Sequence, residues 1–185
     1  MVDGTSTEDV TKVYAALKAA IYNYRLSLTS PEEPLELTSN MLSPGFEDNS
    51  KGWVCNGFSP QSNDAFELKE GTYYCEIWSG WGNVADGDIH QIVELPNGNY
   101  QLTVLAQNIQ ESNKAIPQKG AYVYANNARK ELSLTGKYTL DFVVVDNQAK
   151  IGVNTIGCTG NKVSIDDFHI YYTGFDRSEE RRVGE

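Results

Sequence analysis

Residues 162–172, KVSIDDFHIYY, decide the fold of this chain. β-branched and aromatic residues dominate the stretch and predict a β-strand with a buried face. On an uninterrupted strand, Asp166 shares a face with Phe168 and the alternate residues after it, whereas Asp167 lies on the other face with His169. A carboxylate on an apolar face must be hydrogen-bonded, paired or bound to a metal, because leaving it bare costs several kcal/mol. The sequence therefore predicts a partner for Asp166 elsewhere in the chain.

The pattern that precedes this strand also has a period of two, from residue 35 onward. Gly, Pro, Asn and Asp interrupt it about every 8 to 12 residues, which is typical of a β-sandwich or barrel. The spacing predicts strands at residues 35–41, 52–56, 65–68, 72–78, 89–95, 100–107, 121–125, 130–134, 138–145, 149–154 and 162–172. So many short strands suit two packed antiparallel sheets.

The clearest local pattern lies in the middle of the chain. Pro96, Asn97 and Gly98 predict a tight turn between the strands QIVEL and NYQLTVLAQ. In the second strand we expect one face to form part of the core, made by Tyr100, Leu102, Val104 and Ala106.

The N-terminal segment has helical spacing instead. Thr7 or Ser6 can cap a helix of about five turns that ends before Pro31. Its apolar positions are Val10, Val13, Tyr14, Leu17, Ile21 and Tyr24. Such a helix either packs on the domain, is left over from a preceding helical segment, or binds a partner helix.

The chain therefore divides into three parts. Residues 1–34 are the helix and a short linker, residues 35–174 are the β-sandwich, and residues 175–185 are a charged tail.

Composition limits the possible partners. The chain has 185 residues, a formal net charge of -10 and an isoelectric point near 4.7. Nucleic acid and anionic membranes attract clustered Lys and Arg, so neither is expected as a partner. No run of about 18 apolar residues occurs, and membrane insertion is not expected. The acidic balance is compatible with a neutral sugar, a cation or a protein.

The three cysteines and two histidines give little sign of a metal site. Cys55, Cys75 and Cys158 form no CxxC pair, and His90 and His169 are isolated from each other. The cysteines are expected to be buried small apolar residues, with a bridge between Cys55 and Cys75 as the alternative.

Five motifs together resemble a known family. They are NMLSPGFE at 40–47 followed by GW at 52–53, LPNGNYQL at 95–102, GAYVYAN at 120–126, IDDF at 165–168 and YYTG at 171–174. Their order and spacing resemble galactose-binding-like β-sandwiches. The most similar of these are the carbohydrate-binding modules of glycoside hydrolases and of surface glycan-binding proteins, notably of Bacteroidetes.

The resemblance implies both a fold and a function. The fold would be an antiparallel jelly-roll whose first and last strands lie side by side. The function would be non-catalytic binding of a polysaccharide or oligosaccharide by an extracellular or cell-surface module, with other domains of a multimodular parent as further partners.

The resemblance also implies a structural calcium ion. The positions that match its ligands are Glu47 and Asp166, with Gly45 as a carbonyl donor. Calcium takes six to eight oxygen ligands, so it would turn a buried carboxylate into a clip that closes the fold. The alternative is that Asp166 accepts backbone hydrogen bonds or forms a salt bridge.

Sugar rings stack on exposed aromatic side chains, and the richest aromatic cluster is residues 73–83. Trp78 ends a predicted strand and Trp81 lies in a Gly- and Asn-rich loop, so these two are the candidates for stacking. Alternatively, both cover the open end of the sandwich. Trp53 is predicted to be a core residue.

Two further groups are weaker candidates. Tyr122 and Tyr124 share one face of a strand and form either a second aromatic platform or part of the core. Amides near strand ends could bind sugar hydroxyls, namely those of Gln91, Gln107, Asn108 and Asn126.

Catalysis is not expected. No GxSxG or HExxH motif occurs, and Asp166 and Asp167, as strand neighbours, point to opposite faces. The alternatives to sugar binding are a structural or adhesive spacer with buried aromatics and, less favoured, a glycoside hydrolase with two carboxylates in a cleft.

Overall fold

Alternating apolar residues fold the chain from residue 35 onward into two stacked antiparallel sheets. The structure is a computed structural model that describes residues 7–175, so Ser6 and residues 176–185 of the predicted charged tail lie outside the described residues. The elements are α1 (Thr7–Ser27), β1 (Leu35–Glu36), a 3-10 turn (Thr38–Asn40), β2 (Glu47–Ser50), β3 (Val54–Asn56), β4 (Ser59–Gln61), β5 (Tyr74–Trp78), β6 (Gly87–Glu94), β7 (Gly98–Ile109), β8 (Ala121–Ala125), β9 (Ala128–Leu132), β10 (Gly136–Val144), β11 (Gln148–Thr155) and β12 (Lys162–Gly174).

The two sheets have a simple strand order. The front sheet runs β10-β7-β12-β5-β4, with β1 also paired to β12, and the back sheet runs β3-β6-β11-β8-β9. Leu35 pairs with Tyr172, so the first and last strands lie side by side as the resemblance implied. The core fills the space between the sheets, and the predicted face of β7 is confirmed as part of it, with Tyr100, Leu102, Val104 and Ala106 at most 1% exposed.

A β-bulge in β12 changes the predicted faces of the last strand. The register with β7 shifts between Asp166 and His169, and Asp167 has a φ of 52°. Ile165 before the bulge and Phe168 after it both point into the core. The prediction that Asp166 shares a face with Phe168 is therefore wrong. Asp166 pairs with Leu105 on the outer face of the front sheet.

The outer position of Asp166 is nevertheless buried, because a loop covers it. Residues 65–68 were predicted as a strand, but they belong to the covering loop, residues 62–73 between β4 and β5, which crosses the outer face of the front sheet. Phe66 anchors this loop, with its ring centroid 5.6 Å from that of Tyr74. Asp166 lies beneath the loop and is 0% exposed.

Other strand boundaries also differ from the predictions. The predicted strand at 35–41 ends at Glu36 because the 3-10 turn follows, and β2 and β4 were not predicted. The tight turn at 96–98 exists, but it joins β6 in the back sheet to β7 in the front sheet. The local sequence identified the turn without showing that the chain changes sheet there.

An aromatic cluster fixes the segment between β1 and β3 to the last strand. Trp53 lies with its ring centroid 5.2 Å from Phe46 and 5.0 Å from Phe168, and its indole N–H donates to the carbonyl of Ser43 at 3.0 Å. Trp53 is 8% exposed, which confirms it as a core residue. Gly52 precedes it with a φ of 83°, a conformation that favours glycine.

The predicted N-terminal helix is present, but it does not pack on the domain along its apolar side. None of its residues is buried, and only Tyr22 and Leu26 pack partly against the core. The predicted apolar positions, Val10 to Tyr24, are all more than half exposed. Among the described residues, no helix is long and apolar enough to cross a membrane.

The cysteines are free thiols, and no bridge joins Cys55 to Cys75. Cys75 and Cys158 are buried as predicted, whereas Cys55 is exposed. Burial raises the pKa of the Cys75 and Cys158 thiols, so both stay protonated at neutral pH.

Candidate functional site

A row of polar side chains crosses the outer face of the front sheet. Glu76 on β5, Ser164 on β12 and Gln107 on β7 are direct neighbours in the strand register. Ser164 Oγ donates to Glu76 Oε2 at 2.9 Å, and Gln107 Nε2 donates to Ser164 Oγ at 2.8 Å. All three residues are at most 7% exposed. The row therefore forms a satisfied hydrogen-bonded floor beneath the covering loop.

This burial removes Gln107 from the predicted sugar-binding residues. Its side chain is part of the floor and is covered by the loop, since its Nε2 lies 3.4 Å from the carbonyl of Ala65. Gln91 and Asn108 are buried as well, with their amides bonded to backbone groups. Of the four predicted amides only Asn126 is exposed, and it lies at the β8–β9 turn. Position near a strand end did not indicate exposure here.

Beside the floor, the front sheet opens into a groove of about 510 Å³. Strand β4, the end of β5, the start of β12 and the residues just after β7 contribute its walls. The lining residues are Gly57, Ser59, Gln61, Asn63, Glu76, Trp78, Glu111 and Lys162. The groove thus combines one large aromatic ring with amide, hydroxyl, carboxylate and ammonium groups.

Trp78 forms the aromatic wall of this groove. It is the last residue of β5, and strand alternation places it on the same outer face as Glu76. Its indole N–H donates to Glu111 Oε2 at 2.8 Å, and Lys162 Nζ lies 5.9 Å from the ring centroid. The ring is held by these contacts and is still 56% exposed. This exposure does not support the alternative that Trp78 covers the open end of the sandwich.

Glu111 and Lys162 supply the charged groups beside Trp78. Lys162 Nζ donates to Glu111 Oε1, and the side chain of Lys162 is 7% exposed. The hydrogen bond from Lys162 is the main reason that the pKa of Glu111 is lowered, and the indole of Trp78 adds to it. Glu111 is therefore a stable carboxylate that accepts hydrogen bonds. Neither residue was predicted from the sequence.

Trp81 lies in the loop that follows Trp78. Its side chain is 95% exposed, which agrees with the expectation that a ring in this loop has no local core to enter. Ser79 shapes the loop, because its Oγ donates to the carbonyl of Trp81 at 3.0 Å. Gly80 packs against Trp78, and a Cβ there would lie 3.3 Å from the Trp78 ring. Trp81 thus follows Trp78 by three residues in a loop that packs against the Trp78 ring through Gly80.

Tyr122 and Tyr124 lie on the outer face of the back sheet and not in the core. Arg129 covers the Tyr122 ring at 5.1 Å, and Lys150 lies 5.7 Å from the Tyr124 ring. The hydroxyl of Tyr124 donates to Asp88 Oδ1 at 2.8 Å. These tyrosines are on the opposite side of the sandwich from Trp78, so the predicted aromatic residues cannot form one site.

The partner that the sequence predicted for Asp166 is the backbone of the covering loop. Asp166 Oδ2 accepts from the N–H of Glu70 at 2.8 Å, and Oδ1 accepts from the N–H of Asp167 at 2.8 Å. Glu47 holds the same loop further along, since its Oε1 accepts from the N–H groups of Thr72 and Tyr73 at 2.8 Å each. Both carboxylates thus fix the loop over the front sheet.

The electrostatic state of Asp166 reflects its burial. Desolvation raises its pKa to about 7, with smaller raising effects from the charges of Asp167 and Glu47, although two backbone hydrogen bonds oppose the shift. At acidic pH the group is therefore neutral, and at neutral pH it is only partly ionised.

Calcium would fit this place only with help from backbone oxygens. No cluster of three or more His, Cys, Asp or Glu side chains in residues 7–175 could hold a metal. The chemistry of the available donors is nevertheless right for calcium, since Glu47 and Asp166 are both carboxylates. Gly45 lies against Asp166, and a Cβ there would be 3.6 Å from Oδ1. The calcium site stays a prediction.

Comparisons with known proteins identify the fold. No protein-family model and no curated protein sequence matches the chain. Among solved structures, TmCBM61 in complex with beta-1,4-galactotriose matches with a TM-score of 0.57 and 19% identity, over 72% of this chain and 97% of that one. A cyclase from Fischerella sp. TAU matches with a TM-score of 0.54 and 13% identity, over 77% of this chain and 99% of that one. A cyclase from Fischerella sp. TAU in complex with 4-(1H-indol-3-yl)butan-2-one also has a TM-score of 0.54, at 14% identity over 76% of this chain and 98% of that one.

These matches place the chain in a structural class. It has the two-sheet β-sandwich fold that TmCBM61 and the Fischerella cyclase share, and the sandwich that the motifs indicated is confirmed. A fold shared by a sugar-binding module and a cyclase does not by itself define a function.

Proposed function

We propose that this chain is a non-catalytic carbohydrate-binding module of an extracellular or cell-surface protein. The observation that carries the proposal is the open groove in which the half-exposed indole of Trp78 stands beside Glu111 and Lys162, and the loop that follows Trp78 exposes a second indole, that of Trp81.

A sugar bound in the groove would use its two kinds of surface separately. Its apolar C–H face would stack on Trp78, and Trp81 would extend the platform to the next ring. Its hydroxyls would reach the carboxylate of Glu111 and the amides of Gln61 and Asn63, which also line the groove. Because the contact area is open and small, each site would bind modestly, and several modules in one protein would add avidity.

The charges of the groove favour an uncharged glycan. Its acids are Glu76 and Glu111, and its one lining base, Lys162, is already paired with Glu111. The whole chain also carries a net charge of -10. A uronic acid or sulfated sugar would meet repulsion without a free cation to balance it.

Two alternative functions fit the groove less well. A spacer with buried aromatics conflicts with the exposure of Trp78 and Trp81. A glycoside hydrolase needs a protonated carboxylic acid beside a second carboxylate, but pairing with Lys162 lowers the pKa of Glu111. Glu76, the other acid, is bonded to Ser164 in the polar floor.

The experiment is a titration with a panel of neutral polysaccharides, monitored by tryptophan fluorescence and by retardation in affinity gels. β-1,4-Galactan belongs in the panel because a structural neighbour was solved with β-1,4-galactotriose. Trp53 is in the core, so a change in fluorescence emission on binding would come from Trp78 and Trp81. Trp81→Ala and Trp78→Ala should weaken the binding, whereas Tyr122→Ala, on the opposite face, should not.

Two results would refute the proposal. The first is that no glycan in the panel retards the protein. The second is that both tryptophan variants bind as the wild type does. Release of reducing sugar by the wild type, lost in Glu76→Gln or Glu111→Gln, would instead favour the hydrolase.

We also propose that calcium, when present, is held by Glu47 and Asp166 with the backbone of Gly45. Bound calcium would keep Asp166 ionised and would join the covering loop to β12. This ion would support the fold and would not contact the sugar groove.

A further inference from the structure

Helix α1 carries an apolar stripe that the domain leaves uncovered. Its six side chains are between 52% and 68% exposed: Val10, Val13, Tyr14, Leu17, Ile21 and Tyr24. The contacts with the domain, Tyr22 and Leu26, lie roughly 150° around the helix axis from the centre of the stripe. Every residue from Thr7 to Ile21 is exposed. The stripe therefore points away from the sandwich.

A helix in this state lacks the packing that normally stabilises one. Isolated helices of about 15 residues are marginal in water, and most helical stability comes from burying an apolar face. The uncovered apolar side chains also form one contiguous surface, which is typical of an interaction site. We infer that the stripe binds the same stripe of a second copy of this chain.

The area of the stripe is sufficient for a dimer. Six Val, Leu, Ile and Tyr residues at these exposed fractions present on the order of 600 Å² per chain. Two copies would bury on the order of 1,200 Å², which reaches the range of specific protein interfaces. Contact between the two stripes therefore buries enough surface for a dimer without any contact between the sandwich domains.

The distribution of charge sets the direction of self-association through this helix. Residues 7–27 contain three basic and two acidic side chains, so the helix has a net charge of +1 while the rest of the chain has a net charge of -11. The sandwich follows the C-terminal end of α1. A parallel pair would bring two strongly acidic domains together, whereas an antiparallel pair separates them by about 30 Å, the length of the helix.

The ends of the helix are also complementary in an antiparallel pair. Glu8 and Asp9 lie in the first turn and Arg25 lies in the last. Antiparallel packing places the acidic first turn of one copy beside the basic last turn of the other, and opposes the two helix dipoles. The dimer would carry its two sandwich domains at opposite ends.

The first test measures mass in solution by light scattering over a range of concentrations. The wild type should reach twice the 20.5 kDa of one chain at high micromolar concentration. Leu17→Glu places a charge at the centre of the stripe and should raise the dissociation constant at least tenfold. Ala15→Glu is the matched control, because it adds the same charge on the side of the helix away from the stripe.

The variants remain interpretable because Leu17 does not contact the core, and unchanged tryptophan emission and circular dichroism of the β-sandwich confirm folding. A wild type that stays monomeric at several hundred micromolar overturns the inference. So does a dimer that Leu17→Glu leaves unchanged, or that Ala15→Glu disrupts equally.

The second test measures orientation with a short bis-maleimide linker in a Cys55→Ser background, because Cys55 is exposed. Chains with Thr7→Cys should be linked to chains with Ser27→Cys in mixed dimers. Thr7→Cys chains linked to one another as readily would overturn the antiparallel arrangement.

Discussion

The indole N–H of Trp78 and the ammonium of Lys162 bind the two oxygens of one carboxylate, that of Glu111. The Trp78 bond to Oε2 is 2.8 Å long, and Lys162 donates to Oε1. These residues come from β5, the start of β12 and the chain just after β7, so the carboxylate joins three segments at the groove. The aromatic wall is therefore fixed before any ligand binds, which reduces the ordering cost of binding.

The first prediction concerns this carboxylate. Glu111→Gln should weaken glycan binding and lower the free energy of unfolding by about 1–3 kcal/mol, because the nearly buried ammonium of Lys162 loses its charged partner. Urea denaturation and affinity gels measure the two effects. Glu94→Gln, an exposed change on the back sheet, should alter neither. A Glu111→Gln variant as stable as Glu94→Gln would mean that the ion pair with Lys162 contributes nothing to the free energy of unfolding.

The second prediction distinguishes the contributions of Trp78 and Trp81 to glycan affinity and to stability. Trp81 is almost wholly exposed, so Trp81→Ala should reduce glycan affinity about tenfold, or about 1.4 kcal/mol, without changing stability. Trp78→Ala should reduce affinity at least as much and also destabilise the chain slightly, because Glu111 loses a donor. Isothermal titration and thermal melts of the same samples provide both values. Equal stability losses in the two variants would contradict this division.

The sequence predicted the parts of the fold that depend on local pattern. Tyr100, Leu102, Val104 and Ala106 occupy every second position, and strand geometry places them together on the core face. Trp81 lies among Gly and Asn residues, where a large ring finds no neighbours, so its exposure was also predictable. In both cases the relevant environment is set by residues nearby in the chain.

The remaining features depend on contacts between distant segments. The bulge at Asp167 reversed the faces of β12, and an Asp-Asp pair does not by itself distinguish a bulge from a regular strand. Gln107 is buried because a loop some 40 residues earlier in the chain folds over it. Glu111 and Lys162 were not predicted because each is an ordinary charged residue, one shortly after the end of β7 and the other at the start of β12. A lone Lys opening an apolar strand was the one available sign.

The third prediction concerns the pH dependence that Asp166 imposes. Its folded pKa of about 7 is above the unfolded value, so the folded chain holds a proton that the unfolded chain releases. Stability from this group should therefore fall as pH rises from about 4 to 7. Asp166→Asn, which cannot ionise, should remove this fall in chelator-treated protein. Urea midpoints measured at half-unit pH steps test it, and an unchanged slope in the variant would contradict it.

The fourth prediction uses the same group to test for calcium. A bound cation favours the ionised carboxylate, so millimolar calcium should raise the melting temperature of the wild type most above pH 7 and much less near pH 5. Asp166→Asn and Glu47→Gln should each weaken this response. Equal melting temperatures with calcium and with chelator at pH 8 would leave only the hydrogen-bonded role of Asp166.

The fifth prediction concerns His169, which connects the first strand to the last. Its Nδ1 lies 2.8 Å from Glu36 Oε1 and its Nε2 lies 2.9 Å from Asp167 Oδ1. Burial lowers the pKa of His169, but the hydrogen bond with Glu36 and the charge of Asp167 outweigh burial, and the net pKa is raised. The stabilisation should be complete below the unfolded value of about 6.5 and disappear as pH rises through the higher folded value. His169→Gln should lose this dependence while keeping the fall between pH 4 and 7 that Asp166 causes.

Hydrogen exchange at Leu37 reports on the first strand, because the N–H of Leu37 donates to the carbonyl of Ile170 at 2.8 Å. The protection of this amide, measured relative to the unfolded chain at the same pH, should fall above neutral pH in the wild type as β1 loosens. Exchange at Leu37 that shows the same pH response in His169→Gln as in the wild type would show that the histidine does not hold the first strand.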